Sequence, residues 1–145
     1  MRFAHPVPLL LILTLSACGG GWGTELRQDT PLGAATMFRS DAVDAATAQK
    51  AFEAMIAANY NFASDLPEQI DRVDGRLTLR LCNDNQDSIA AIEADGEADG
   101  AVRYTHGLAR HVSQAVGGEP VDVVLCRLTL DQPFYTVRWK SEEPE

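Results

Sequence analysis

The sequence has few basic residues, few cysteines and no apolar run long enough for a transmembrane helix. Its 145 residues include 12 Lys+Arg against 21 Asp+Glu, which gives a formal net charge of −9. Nucleic-acid-binding domains carry basic clusters, so this balance argues against DNA or RNA as a partner. No apolar run approaches the ~20 residues that span a bilayer as a helix.

The common catalytic and metal-binding motifs are also missing. The sequence contains no Gly-x-Ser-x-Gly, no phosphate-binding glycine loop, no His-Glu-x-x-His and no Cys-x-x-Cys. These absences favour a protein that is not an enzyme, and we expect no cofactor.

Length and composition are those of one folded domain. Hydrophobic residues make up 46% of the chain and charged residues 23%, so the chain can bury a core and is not typical of a disordered protein. At this length a second ordinary domain is not expected.

The N-terminal segment has the pattern of a secretory signal. Arg2 supplies one early positive charge, and an apolar run of roughly nine residues follows at 7–15. We therefore predict that residues 1–17 are a signal peptide.

The four residues Leu15-Ser16-Ala17-Cys18 resemble the lipobox of bacterial lipoproteins. In that family the chain is cut before the cysteine, which then carries lipid. The resemblance implies that Cys18 is the lipidation site and attaches the protein to a membrane. Because Gly19 rather than Asp follows Cys18, it further implies the outer membrane, facing the periplasm.

The rest of the chain divides into a tether, a domain and a tail. Residues 18–40 are rich in glycine and lack steady periodicity, which predicts a lipidated flexible tether. We expect a single domain over residues 41–140 and a loose acidic tail over 141–145.

Within the domain, apolar spacing predicts helices and strands in alternation. A first helix begins near Asp41 or Asp44, and a second covers residues 101–116. A short helical piece is expected around 88–94. The clearest strand is 76–81, after a turn at Asp74-Gly75, and 70–73 can pair with it.

Two further strands are expected at 121–130 and 134–140. These elements predict an α+β fold, with a small antiparallel or mixed sheet of three to four strands and two main helices packed on one face. In this arrangement Leu128 and Leu130 share the helix-facing side with the leucines of 76–81.

Two cysteines lie inside the predicted domain. Cys82 and Cys126 would reach an oxidising compartment with an exported chain, so we expect them to form a disulfide. Their positions conflict, however, because an unbroken strand points Cys82 away from the leucine face and Cys126 toward it. A free catalytic thiol beside His106 or His111 is the alternative.

Five cations are predicted to share the sheet face opposite the helices, where they can meet an anion or partner, or pair with the protein's own carboxylates. They are Arg76, Arg80, Arg127, Arg138 and Lys140.

An acidic loop resembles the first half of an EF-hand calcium loop, with Asp95, Glu97 and Asp99 at alternate positions. The position that requires Glu in that family is His106 here. We therefore expect a loop that caps the second main helix, and no metal site.

The functional prediction is a lipid-anchored, non-enzymatic binding or envelope-accessory module for a protein or wall component. The acidic charge favours a basic partner. One alternative is a small periplasmic inhibitor of a lysozyme-type hydrolase. The other is an enzyme with an unrecognised site that uses His106 or His111.

Overall fold

The computed structural model of the chain describes residues 21–62 and 65–139. The predicted signal peptide at 1–17, the lipidation site Cys18, the cation Lys140 and the tail 141–145 lie outside the described residues.

The described residues form six strands and three α-helices. The strands are β1 (Thr24–Thr30), β2 (Gly33–Arg39), β3 (Glu68–Val73), β4 (Arg76–Asn83), β5 (Val121–Arg127) and β6 (Pro133–Trp139). The helices are α1 (Ala45–Ala57), α2 (Gln86–Asp95) and α3 (Gly100–Ala115), with a short 3₁₀ turn between α2 and α3.

All six strands belong to one mixed sheet whose spatial order follows the chain, β1-β2-β3-β4-β5-β6. Three antiparallel hairpins (β1–β2, β3–β4 and β5–β6) are joined by two parallel pairs, β2–β3 and β4–β5. Parallel neighbours need a long crossover connection. Helix α1 supplies the first crossover, and α2 with α3 supplies the second.

The main core lies between the helices and one face of the sheet. Alternate residues of β4 and β5 point into it, namely Leu77, Leu79, Leu81, Val121, Val123 and Leu125. Phe52 and Met55 of α1 are buried against the same core. Asp99 begins α3 by accepting hydrogen bonds from the backbone of Ala101 and Val102, as an N-cap does.

The hairpin predicted at Asp74-Gly75 is confirmed. Both turn residues have positive φ, 51° and 77°, which is the geometry of a two-residue hairpin turn. Val73 and Arg76 are register partners on either side of it.

The predicted sheet of three to four strands with two main helices is wrong, although the fold is still α+β. Strands β1 and β2 lie in the segment predicted to be a flexible tether, and α2 is a full helix. β1 is an edge strand and five of its seven residues are exposed, so it carries no apolar alternation, and Leu26 is its side chain that packs on the core. Hydrophobic periodicity cannot reveal such a strand.

The predicted strand 121–130 is too long. Because the strand ends earlier, the residues after its end do not lie on the face of the sheet that was predicted for them. Strand β5 ends at Arg127, and Leu128 is half-exposed with a φ of 52°. Leu130 is buried in a small cluster with Cys82 and Cys126, and not in the main core. The placement of Leu128 and Leu130 on the helix side is therefore wrong.

Among the residues that the structure covers, no helix has both the length and the apolar character needed to cross a membrane.

Candidate functional site

A cavity of about 490 Å³ lies where β4 and β5 end and the helices begin. Parallel strands bring their carboxyl ends to the same edge of a sheet, and ligands bind preferentially at such edges. We call it the Glu68 cavity. Its lining is formed by Asn59, Tyr60, Asn61, Leu66, Glu68, Leu81, Cys82, Asn83, Asp84, Ile92, Ala101, Tyr104, Thr105 and Leu125.

Glu68 is the most deeply buried charged residue of this lining. It is the first residue of β3, pairs in register with Leu81, and is only 3% exposed. Because Ile70, two residues further on, points into the main core, strand alternation directs Glu68 to the helix side as well.

The Glu68 carboxyl group is half satisfied by hydrogen bonds. The Tyr60 hydroxyl donates to its Oε1 at 2.6 Å. Its Oε2 is buried and has no hydrogen-bond partner among the described residues. A buried polar atom without a partner costs about 1–3 kcal/mol, so this oxygen has an unmet capacity to bind.

Burial raises the pKa of Glu68 to about 8, against the opposing effect of the Tyr60 hydrogen bond. The carboxyl group is therefore largely protonated at neutral pH. Burial, together with the adjacent Glu68, also raises the pKa of Tyr60 well above its ordinary value. A carboxylic acid kept neutral inside a cavity is a common mark of a functional site.

The remaining lining combines apolar walls with polar groups and carries no Lys, Arg or His. Leu66, Leu81, Ile92 and Leu125 supply the apolar surface. Tyr104 of α3 is half-exposed, and burial raises its pKa. The arrangement can hold a small apolar body with one polar group directed at Glu68.

A second cavity of about 300 Å³ lies between the β1–β2 turn and the end of α1. It is lined by residues 30–35, by Ile56 and by residues 59–62, and Tyr60 is the one titratable side chain among these described residues. Because it contains no buried acid, it is the weaker candidate for a site.

The predicted cationic face is largely neutralised by internal ion pairs. Arg76 makes a bidentate pair with Asp122, at 2.8 and 2.7 Å. Arg80 lies 3.5 Å from Asp71 across the β3–β4 hairpin. The hydrogen bond to Asp122 raises the pKa of Arg76, as expected for a cation that gains a partner.

The five cations are not all on one face. Arg127 pairs with Glu93 of α2 and lies over the Phe134 ring, so it belongs to the helix side, and its placement with Arg76 is wrong. Arg138 is exposed and pairs in register with Asp122. The face is thus a mixture of both charges.

Cys82 and Cys126 are register partners on the adjacent parallel strands β4 and β5. Both side chains lie on the face opposite the main core, which removes the conflict in their predicted facing. The neighbouring Cys126 thiol, together with burial, raises the pKa of Cys82. Both thiols are free in the structure, so the disulfide stays a prediction.

Carboxylates of the calcium-like loop bind other groups of the protein itself. The Glu97 carboxylate lies 2.6 Å from His106 Nε2 and accepts a hydrogen bond from the Tyr135 hydroxyl. Asp99 caps α3. Within residues 21–62 and 65–139 no group of three His, Cys, Asp or Glu side chains is placed to hold a metal ion.

The two histidines are outside the cavity. His106 contacts Glu97 on the surface, and His111 is exposed further along α3. Neither lines the Glu68 cavity.

Sequence reasoning missed Glu68 and Tyr60. The hairpin arm was predicted to begin at Ile70, so Glu68 was left outside any element. The available signal was the two-residue spacing of Glu68 and Ile70, which places an acid on the core-facing side of a strand.

Comparisons with protein-family models, with curated proteins and with solved structures found no match.

The pKa of Glu68 makes a prediction about stability. The folded state holds a proton that the unfolded state releases near the ordinary Glu pKa of about 4.3, so stability falls as pH rises from 5 to 8. The free energy of unfolding falls by up to about 1.4 kcal/mol for each pH unit in this range. Glu68→Gln removes this dependence, so its stability relative to the wild type should increase with pH in urea denaturation.

The exposed Glu53 on α1 provides the matched control. Glu53→Gln should shift stability by a similar amount at every pH. Parallel pH profiles for Glu68→Gln and the wild type would contradict the assignment of a raised pKa to Glu68.

The register of Cys82 and Cys126 predicts that a mild oxidant joins them. Adjacent strands lie about 4.8 Å apart, within the Cα separation that disulfides span. In a Cys18→Ala background, diamide should take two hydrogen atoms from the two thiols, form one S–S bond and itself become the hydrazine.

Intact mass and non-reducing peptide mapping measure this pairing. The closed loop should stabilise the domain by about 4 kcal/mol before strain is subtracted. Cys82→Ser in the same background should gain nothing from diamide. Two thiols that still react with iodoacetamide after oxidation would disprove the pairing.

Proposed function

We propose that this chain is a lipid-anchored binding module of the bacterial cell envelope that takes its ligand in the Glu68 cavity. The observation that carries this proposal is the Glu68 carboxyl group, which lines a cavity of about 490 Å³, is 3% exposed and has an Oε2 with no hydrogen-bond partner in the described part of the chain. Cavities of roughly 300–1,000 Å³ accommodate small ligands.

Binding is favoured over catalysis by what the lining contains. It offers one buried acid, two tyrosines and apolar walls, whereas His106 and His111 lie elsewhere on the domain. An enzyme built on either histidine would therefore need a site away from the cavity.

The membrane attachment rests on the lipobox-like residues 15–18. Lipid on Cys18 would hold the domain at the outer membrane, facing the periplasm. More than one lipid chain is needed for stable attachment, and lipoproteins of this kind carry several.

The partner is proposed to be a protein or wall component, and a basic one is favoured. A net charge of −9 attracts cations and repels anionic surfaces. The narrower proposal of a lysozyme-type hydrolase inhibitor is supported by size, charge and the predicted location.

Anchoring is tested by Cys18→Ala. The variant should lose lipid labelling and move from the membrane fraction to the soluble fraction, because the acyl chains have no other attachment point. Gly20→Ala, two residues away, should stay with the membrane. An unchanged membrane fraction for Cys18→Ala would refute the anchor.

Use of the cavity is tested by filling it. Ala101 is exposed at the start of α3 and lines the cavity, so Ala101→Trp should block it without disturbing the core. A fraction of envelope extract that contains the ligand should raise the Tm of the wild type by several degrees, since a ligand at 100 times its Kd adds about 2.7 kcal/mol. The blocked variant should show no rise.

Ala115→Trp, at the exposed far end of the same helix, is the matched control and should respond like the wild type. Equal Tm shifts in all three proteins would place the ligand outside the cavity and overturn the proposal.

A further inference from the structure

The charged and polar side chains that line the Glu68 cavity indicate which class of ligand it can bind. Its lining includes two acids, Glu68 and Asp84, two tyrosine rings and three asparagines, and it contains no cationic side chain. An anionic ligand would find no counter-charge there.

The unpartnered oxygen indicates where a ligand would bind. Tyr60 fixes one side of the carboxyl group by donating to Oε1, and no donor from residues 21–62 or 65–139 reaches the buried Oε2. A donor that also carries positive charge would satisfy Oε2 and stabilise the ionised form, because hydrogen bonds to ionised groups are roughly twice as strong as neutral ones.

The aromatic and apolar walls fit the rest of such a ligand. Tyr60 and Tyr104 contribute aromatic rings to the lining, and aromatic rings attract cations. Apolar surface for the rest of the ligand comes from Leu66, Leu81, Ile92 and Leu125. The negative charge of the whole chain raises the local concentration of cations.

We propose that the Glu68 cavity binds a primary ammonium group on a short apolar chain, with Glu68 as its counter-ion. This inference rests on the proposed function and names the ligand chemistry. An alkylammonium group has two sources, a free small amine or the lysine side chain of a partner protein.

Binding of an ammonium group is coupled to proton release. The empty cavity keeps Glu68 protonated at neutral pH, and a cation beside it favours the carboxylate. One proton leaves Glu68 for the buffer as the ion pair forms, and no covalent bond is made. Affinity therefore rises between pH 6 and 8, where an alkylammonium stays charged because its pKa is about 10.4.

The other titratable groups around Glu68 do not reproduce this dependence. Tyr60 from the segment after α1, Tyr104 from α3 and Cys82 from β4 all have raised pKa values, so they stay neutral over this range. Asp84, which follows β4, is exposed at the surface.

The test is isothermal titration calorimetry of the full chain with n-hexylammonium chloride, in buffers of different ionisation enthalpy from pH 6 to 8. Neutral n-hexanol and anionic hexanoate have the same apolar chain and are the comparison ligands. We expect hexylammonium to bind at least about tenfold more tightly than either, which corresponds to about 1.4 kcal/mol. We also expect up to one proton to be released.

Glu68→Gln keeps the shape of the side chain and removes its ability to ionise. It should weaken hexylammonium binding at least about tenfold and abolish the pH dependence. Glu53→Gln makes the same substitution at an exposed site and should bind like the wild type. A circular dichroism spectrum confirms that each variant is folded. Tyr60→Phe is a second variant, and it leaves the Glu68 carboxyl group in place.

Nα-acetyl-lysine N-methylamide distinguishes the two sources. If it competes with hexylammonium, the site accepts a lysine side chain, and if it does not, the ligand is a free amine. Either result supports the ammonium class.

Tighter binding of hexanol or hexanoate, affinity that falls with rising pH, or full binding by Glu68→Gln would overturn the inference. If hexylammonium fails while Ala101→Trp still abolishes the Tm shift from envelope extract, the ammonium chemistry is wrong and the cavity remains the binding site. If the extract also gives no cavity-dependent shift, both proposals fail.

Discussion

The parallel pairing of β4 with β5 determines where the cavity and the two cysteines of this domain lie. Seven register pairs, from Leu77 with Val121 to Asn83 with Arg127, hold the two strands in one direction. Their carboxyl ends therefore meet at one edge, where the crossover through α2 and α3 closes over them. The same register places Leu81 beside Leu125 in the wall of the cavity, and Cys82 beside Cys126 on the opposite face.

Glu68 is an acid that the sheet keeps away from water, although a carboxyl group is more stable in water. Its partner across the β3–β4 hairpin is Leu81, so the hairpin register carries the carboxyl group into an apolar layer. Tyr60 compensates for part of the lost hydration, and Oε2, which has no hydrogen-bond partner among the described residues, leaves the rest uncompensated. Removing this oxygen from water destabilises the fold, whereas an apolar residue at this position would not carry that cost.

The sequence was sufficient for elements whose residues alternate or repeat at helical spacing, and insufficient for those that do not. Leu77, Leu79 and Leu81 identify β4, and the apolar stripe of α3 identifies the second main helix. Strand β1 has no such stripe because most of its residues are exposed. The site was harder to predict from the sequence, since Tyr60, Glu68 and Tyr104 come from three separate segments that the fold brings together. The facing of the two cysteines depended on where β5 ends, and the positive φ of Leu128 is not evident from residue types.

The joint between the first hairpin and the rest of the sheet is short, with Phe38 opposite Gln69 and Arg39 opposite Ile70. Strands β1 and β2 share seven register pairs with each other, so the hairpin is held together internally more extensively than it is held to β3. Packing also holds it in place, because Ala35 and Met37 of β2 are buried in the main core and would be exposed if the hairpin separated from β3. In mechanical terms, a pull on the chain at its N-terminal side is passed to β3 through Gln69 and Ile70, directly beside Glu68 in the wall of the cavity.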